Sequence, residues 1–235
     1  MKREMANILI QTMKKIWHFY NEKINLYKVE GVLEPDKYGS LQEFGVDALL
    51  KSCRVLDEYK IPYSLGWGTV LGVYRENRLI PHDNDLDLDL FDCPDYELVV
   101  KALESIGMKL GMKVFYRKKI QQLVFLSKNN ISLDVVFWVK KNNLAVTYCE
   151  PGYVLKLPID LLKEKSYVNF FDYNIALPSS AESYLISVYG QNWKTPKISK
   201  SDWKEDCHII HKRFDPFFWS FHYLYPLYCK YIKKI

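Results

Sequence analysis

Aspartates alternate with leucines in Pro81-His82-Asp83-Asn84-Asp85-Leu86-Asp87-Leu88-Asp89-Leu90-Phe91-Asp92-Cys93. On a β-strand, successive side chains point to opposite faces. Leu86, Leu88 and Leu90 would then face a core, and Asp85, Asp87 and Asp89 would share the other face. Carboxylates stacked this closely repel one another, and half-burial strengthens the repulsion. A divalent cation is the simplest way to neutralise them. Oxygen-only ligands select a hard ion, magnesium first and manganese second.

Two other segments carry compatible chemistry. Gly68-Thr69 is a small-residue turn leading into a helix. Glycine lets a phosphate approach the backbone, and a helix N-terminus offers free N–H groups and partial positive charge. Thr69 adds a hydroxyl donor. Asp134, within Ile131-Ser132-Leu133-Asp134-Val135-Val136-Phe137, is a lone acid among apolar and β-branched residues. Such an acid is costly unless paired or metal-bound, so it could complete a three-carboxylate site with Asp85 and Asp87. Each segment has a plainer reading when taken alone: an ordinary turn, a solvated acidic face, a salt-bridged aspartate.

These residues need strands and helices to position them. Apolar spacing predicts a helix over 5–29. Ser40 with Glu43 reads as a capping box for a second helix at 41–60, ended by Pro62. Tyr63–Leu65 is a short strand, Gly66–Thr69 a turn and Val70–Glu76 a short helix. The acidic strand spans 85–91, and Pro94 opens a helix over 95–107. Val114–Leu126 and Ile131–Val139 read as two strands joined by a Ser127–Asn130 turn. A hairpin follows through 144–148 and 152–157, then short helices at 160–164 and 180–189. The order predicts one α+β domain over 1–235: a mixed sheet with flanking helices, a core at about 40–196, and a helical C-terminal part.

The chain has 235 residues, 49% of them hydrophobic and 15% aromatic, which suits one large core and argues against disorder. From Gly190 onward, nine Lys or Arg stand against four acids, and this excess equals the whole net charge of +5. A basic tail beside an acidic metal candidate suits phosphate-bearing ligands or an anionic membrane surface. The segment 217–229 carries Trp219, Tyr223, Tyr225 and Tyr228, with Lys230, Lys233 and Lys234 after it, as an interfacial membrane contact would. It is short for a span and interrupted by Pro226. No signal peptide or membrane span is expected, and five scattered cysteines without CxxC suit a reducing compartment. The expected location is cytoplasmic, at the inner face of the membrane. The tail has no recognition motif, so no nucleic-acid partner is expected. Cys207-His208 with His211 supplies too few ligands for structural zinc and reads as an ordinary helix face.

The run Leu65-Gly66-Trp67-Gly68-Thr69-Val70-Leu71-Gly72-Val73-Tyr74-Arg75, followed by Leu79-Ile80-Pro81-His82-Asp83-Asn84-Asp85-Leu86-Asp87-Leu88, resembles the signature of the LicD/fukutin-related phosphotransferase family. A second signature resembles Leu177–Leu185 and then Tyr189–Pro196. The likeness runs from about residue 41 to 196 and implies a nucleotidyltransferase-like fold. It further implies magnesium-dependent transfer of a phospho-alcohol, such as phosphocholine or ribitol phosphate. The donor would be CDP-linked and the acceptor a hydroxyl of a cell-surface or lipid-linked glycan. By resemblance Asp85 and Asp87 hold the metal, and Asp134 completes its shell or takes the acceptor proton. Gly68 and Thr69 match the phosphate-facing turn and Arg75 the motif arginine. Two departures stand out: His82 where the family has Trp, and Glu76 where it has a basic residue. Arg117, Lys118 and Lys119 are further candidates for phosphate contact.

Three rival readings share parts of this pattern. A DxD glycosyltransferase explains the metal pair and not the Gly-Thr turn. A cytidylyltransferase would use the same three carboxylates on another substrate. A non-catalytic relative that binds glycans or nucleotides would be expected to lack a carboxylate, and all are present.

Overall fold

The computed structural model describes residues 11–12, 15, 27–32, 38–93, 95–150, 152–197, 204 and 207–213. After helical residues 11, 12 and 15 come β1 (Tyr27–Glu30) and a π-helical turn (Leu41–Gly45) that runs into α1 (Val46–Glu58). Next come β2 (Ser64–Leu65), α2 (Trp67–Glu76), β3 (Asp85–Phe91) and α3 (Tyr96–Ser105). The sheet continues with β4 (Lys109–Tyr116), β5 (Lys119–Leu126), β6 (Ser132–Lys141), β7 (Leu144–Thr147) and β8 (Tyr153–Pro158). After it follow α4 (Ile159–Lys163), β9 (Lys165–Phe170), β10 (Tyr173–Pro178), α5 (Ala181–Tyr189) and β11 (Ile210–Lys212).

This is the expected α+β arrangement. Nine strands of the described chain form one mixed sheet, and β9 with β10 forms a separate hairpin. β3 pairs antiparallel with β2 and parallel with β6. β5, β4 and β1 continue from one flank of β6, while its far end pairs with β7 and leads to β8 and β11.

The alternation in β3 does what the pattern predicts. Leu86, Leu88 and Leu90 are fully buried, alongside Leu133 and Val135 of β6. Each buried leucine contributes roughly 1.5–3 kcal/mol. A one-residue slip would exchange all three for aspartates, so the register with β6 is strongly pinned. α3 closes over this core from a clean start, because Asp95 Oδ1 accepts the Glu97 and Leu98 amides at 3.0 and 3.1 Å.

Several predicted boundaries are corrected. Tyr27–Glu30 is a strand paired with β4, so no helix runs to residue 29; of residues 5–26 only 11, 12 and 15 are described, and these are helical as expected. The Ser40–Glu43 capping box does not form: the Ser40 side chain caps nothing, and its carbonyl accepts the Glu43 and Phe44 amides instead. α2 begins at Trp67, inside the predicted turn, because Gly66 stays extended and acts as its cap. The single strand predicted over 114–126 is a hairpin that reverses at Arg117-Lys118, both at positive φ (49° and 64°). The β9–β10 hairpin, which reverses at Phe171-Asp172, was not predicted at all. Cys207, His208 and His211 lie on a turn and on β11 rather than on a helix. The segment 214–235, with its predicted membrane contact, lies outside the described residues. No described helix is long and apolar enough to cross a membrane.

Candidate active site

The parallel register sets Asp85 beside Ser132, Asp87 beside Asp134 and Asp89 beside Val136. Side chains paired across parallel strands emerge on the same face, so β3 and β6 together present Asp85, Asp87 and Asp134 on one surface. Asp134 is held from β5 and from its own strand: Gln122 Nε2 donates to its Oδ2 at 2.6 Å, and Ser132 Oγ, two residues before it on β6, donates to its Oδ1 at 3.3 Å. Sequence reading passed over Gln122, whose place beside Asp134 depends on the β5–β6 register.

The Gly-Thr turn is locked to this strand. Gly66 N–H donates to the Asp87 carbonyl at 3.1 Å, and Thr69 Oγ1 accepts the Asp87 N–H at 2.8 Å. Thr69 is 2% exposed. Its oxygen is therefore spent on aligning α2 with β3, while Gly68 and Trp67 form the surface that faces outward. A Cβ at Gly68 would stand 2.2 Å from Asp83 Oδ2, so glycine here admits the Asp83 carboxylate against the start of α2.

These acids line a cleft of about 660 Å³. Gly68, Arg75, Asp85, Asp87 and Asp134 all border it, as do Asp83, His82 and Gln122. Tyr189, Asn192, Trp193, Thr195 and Pro196 complete much of the lining, so the two sequence signatures meet in one cavity. Cys207 and His208 reach it from the turn before β11. Arg75 is not a free cation: its guanidinium is paired with Glu76 Oε1 at 2.7 Å, and its Nη1 donates to the Trp193 carbonyl at 3.4 Å. Arg117, Lys118 and Lys119 are not among the cleft residues. They lie at the β4–β5 turn, with the Arg117 guanidinium 5.5 Å over the Tyr116 ring.

Burial makes these carboxylates hard to ionise together. It pushes Asp83 up to about 7, helped by the charge of Asp85. It pushes Asp134 up to about 7 as well, against the hydrogen bonds from Gln122 and Ser132. Asp85 is raised by burial, and Asp87 is raised well above the usual carboxylate range by burial and by the charges of Asp85 and Asp134. The described residues contain no trio of His, Cys, Asp or Glu already drawn into chelating geometry. They do contain the donor chemistry of a hard-cation site: oxygen ligands only, on one face, under mutual repulsion that a divalent ion would relieve.

Asp89, the third aspartate on that face of β3, is a buried node. It is 1% exposed and accepts from Trp138 Nε1 and Tyr184 Oη, both at 2.7 Å.

Comparison with known proteins adds a family. The model described as "LicD/FKTN/FKRP, nucleotidyltransferase domain" matches residues 60–180. Ribitol-5-phosphate transferase FKTN of Homo sapiens is 26% identical over 171 residues, which is 67% of this chain and 34% of that protein. The Mus musculus protein of the same name matches to the same extent. The aligned region thus spans about a third of the length of these relatives. Among solved structures, the lincomycin-bound lincosamide antibiotic adenylyltransferase LnuA has a TM-score of 0.41 and 20% identity, covering 67% of this chain and 86% of that one. ANT(2″)-Ia in complex with adenylyl-2″-tobramycin has a TM-score of 0.39 and 14% identity, covering 57% and 69%.

Proposed function

The chain belongs to the LicD/FKTN/FKRP nucleotidyltransferase-domain family, and from that premise we propose that it transfers a phospho-alcohol group from a CDP-linked donor to a glycan hydroxyl. The observation that carries this reading is the pairing of Asp87 with Asp134 across β3 and β6, with Asp85 on the same face of the same cleft. The family relatives named ribitol-5-phosphate transferase support the substrate class.

In the proposed reaction the acceptor oxygen forms a bond to the phosphorus of the alcohol phosphate. The bond from that phosphorus to the oxygen shared with the CMP phosphate breaks, and CMP leaves with the electron pair. The acceptor proton passes to a site carboxylate or to water. Such a transfer depends on alignment and charge compensation more than on covalent catalysis. Asp85 and Asp87 would hold magnesium, or manganese in its place, and Asp134 would complete the set. When bound, the ion offsets the charge of the donor phosphates and of the departing CMP. Gln122 and Ser132 orient the Asp134 oxygens. The Thr69 link to the Asp87 amide fixes the distance between the turn and the acidic strand. Arg75 lies at the cleft wall to meet phosphate, although Glu76 moderates its charge.

On this reading the acceptor is a cell-surface or lipid-linked glycan met at the inner face of the cytoplasmic membrane. The aromatic and basic sequence 217–235 would supply the contact with that surface. The deciding experiment incubates the protein with magnesium and a panel of CDP-alcohols, CTP with alcohol phosphates, and nucleotide sugars. CMP release dependent on a glycan acceptor is the expected outcome. Diphosphate release from CTP would identify a cytidylyltransferase, and UDP release a glycosyltransferase.

A further inference from the structure

Asp89 shares a face of β3 with Asp85 and Asp87, yet it is buried and borders no part of the cleft. Its two oxygens accept from Trp138 Nε1 and Tyr184 Oη at 2.7 Å each. Tyr184 Oη in turn accepts the backbone N–H of Trp67 at 3.1 Å. A phenol has one proton and two lone pairs, so it can donate and accept at once. Burial, with the charge of Asp89, pushes the Tyr184 phenol well above its ordinary range, so it keeps that proton.

Trp67 is an unusual residue to find at the end of such a chain. It opens α2 with a φ of 45°, left-handed backbone that favours glycine. A non-glycine residue there costs on the order of 1–3 kcal/mol and persists only where its surroundings hold it. Trp67 and Gly68 are also part of the cleft wall. Gly66, just before them, has no Cβ; one placed there would stand 2.8 Å from Asp89 Oδ2. The chain thus omits a side chain at the position where Asp89 comes up beneath the turn. Asp89 itself is raised to about 6 by burial, with the Trp138 and Tyr184 hydrogen bonds, the charge of Lys165 and the nearby Trp67 side chain opposing that rise.

We propose that Asp89 is a positioning residue: through Tyr184 Oη it holds the Trp67 amide and thereby sets the conformation of the Trp67–Gly68 wall of the cleft. It touches no ligand. It ties α5 to the start of α2, and so ties the second sequence signature to the first. The effect on donor binding rests on the phosphotransfer reading given above; the effect on Trp67 does not.

The test uses the full chain with Tyr184→Phe and Asp89→Asn. Tyr184→Phe keeps the ring and removes only the relay oxygen. Asp89→Asn keeps the shape but must turn an NH2 toward one of the donors that face it. Amide hydrogen exchange is read by NMR, together with the affinity for a CDP-alcohol in magnesium. In Tyr184→Phe, exchange at Trp67 should accelerate about tenfold, the factor equivalent to roughly 1.4 kcal/mol. Amides in the rest of α2 and in β3 should stay as in the wild type, and donor Kd should rise by a similar factor. Asp89→Asn should shift the same two readouts in the same direction, by less. Unchanged exchange at Trp67 in both variants would overturn the proposal. So would an acceleration shared equally by all protected amides, since that reports general stability alone. If the wild type binds no CDP-alcohol, the phosphotransfer reading fails, and the exchange data still decide the role of Asp89.

Discussion

Asp87 and Asp134 stand side by side across the parallel pair of β3 and β6. Without a cation, each makes the other harder to ionise. Removing one charge should therefore move activity and stability in opposite directions. Asp87→Asn is expected to lower magnesium-dependent CMP release by at least about 10²-fold, the scale of losing a group that stabilises transition-state charge. In chelator the same variant should melt higher by about 2–4 °C, the shift that accompanies ~1 kcal/mol in a chain of this size. Turnover at the wild-type rate, or a lower melting temperature in chelator, would remove Asp87 from the cation site.

The same acids predict how the metal-free protein responds to pH. Burial raises Asp83 and Asp134 to about 7 and Asp89 to about 6 in the folded state. Unfolded aspartates titrate at about 3.9. Between those values the folded chain binds more protons than the unfolded one, so these groups lower stability as pH rises. Melting temperature in chelator should fall from pH 4 toward pH 7. Lys165 is lowered to about 8, so its contribution changes only above that pH. Magnesium should recover the loss, and most strongly at pH 7 and above, where the carboxylates are free to bind it. A melting temperature in chelator that climbs steadily across this range would contradict the assignment.

Gln122 is expected to act on the cation through Asp134, because its amide donates to Asp134 Oδ2 at 2.6 Å. Loss of a hydrogen bond to a ligating group typically costs 10–100-fold in metal affinity. Gln122→Leu should therefore raise the magnesium concentration for half-maximal CMP release by about tenfold. At saturating magnesium most of the turnover should return. A variant with wild-type magnesium dependence would show that Gln122 only packs.

The placement of the three acids was more legible in the sequence than that of the residues that support them. Alternation of Asp with Leu gave β3 to the residue, because one face had to be apolar and the other could not be. Asp134 was legible because an acid among β-branched residues demands a partner. Gln122 was not, since its meeting with Asp134 depends on how β5 registers against β6. The burial of Asp89 was not legible, because its partner Tyr184 lies 95 positions away in the chain. Thr69 looked like a phosphate donor, but nothing local says that its oxygen turns inward to the Asp87 amide. The hairpins at Arg117-Lys118 and Phe171-Asp172 were missed because positive φ usually announces itself with glycine or asparagine, and neither turn has one.

Glu76 offers a last test, on a residue where this chain departs from the family signature. Its Oε1 lies 2.7 Å from Arg75 Nη2, and its Oε2 lies 2.5 Å from Arg78 Nη2. Arg75 borders the cleft with only 14% of its side chain exposed, so its charge reaches a ligand already partly balanced. Glu76→Gln keeps the size and hydrogen-bonding reach of the side chain while removing the charge. Fully exposed ion pairs are worth about 0.2–1 kcal/mol, which sets the lower scale for this more buried one. The variant should bind CDP-alcohol or free diphosphate about 2–5-fold more tightly, with kcat little changed, because the released charge favours bound phosphate before and during transfer alike. Calorimetric titration in magnesium measures this directly. Weaker binding would mean that Glu76 serves by holding Arg75 in the productive orientation, and that its charge does not compete with the ligand.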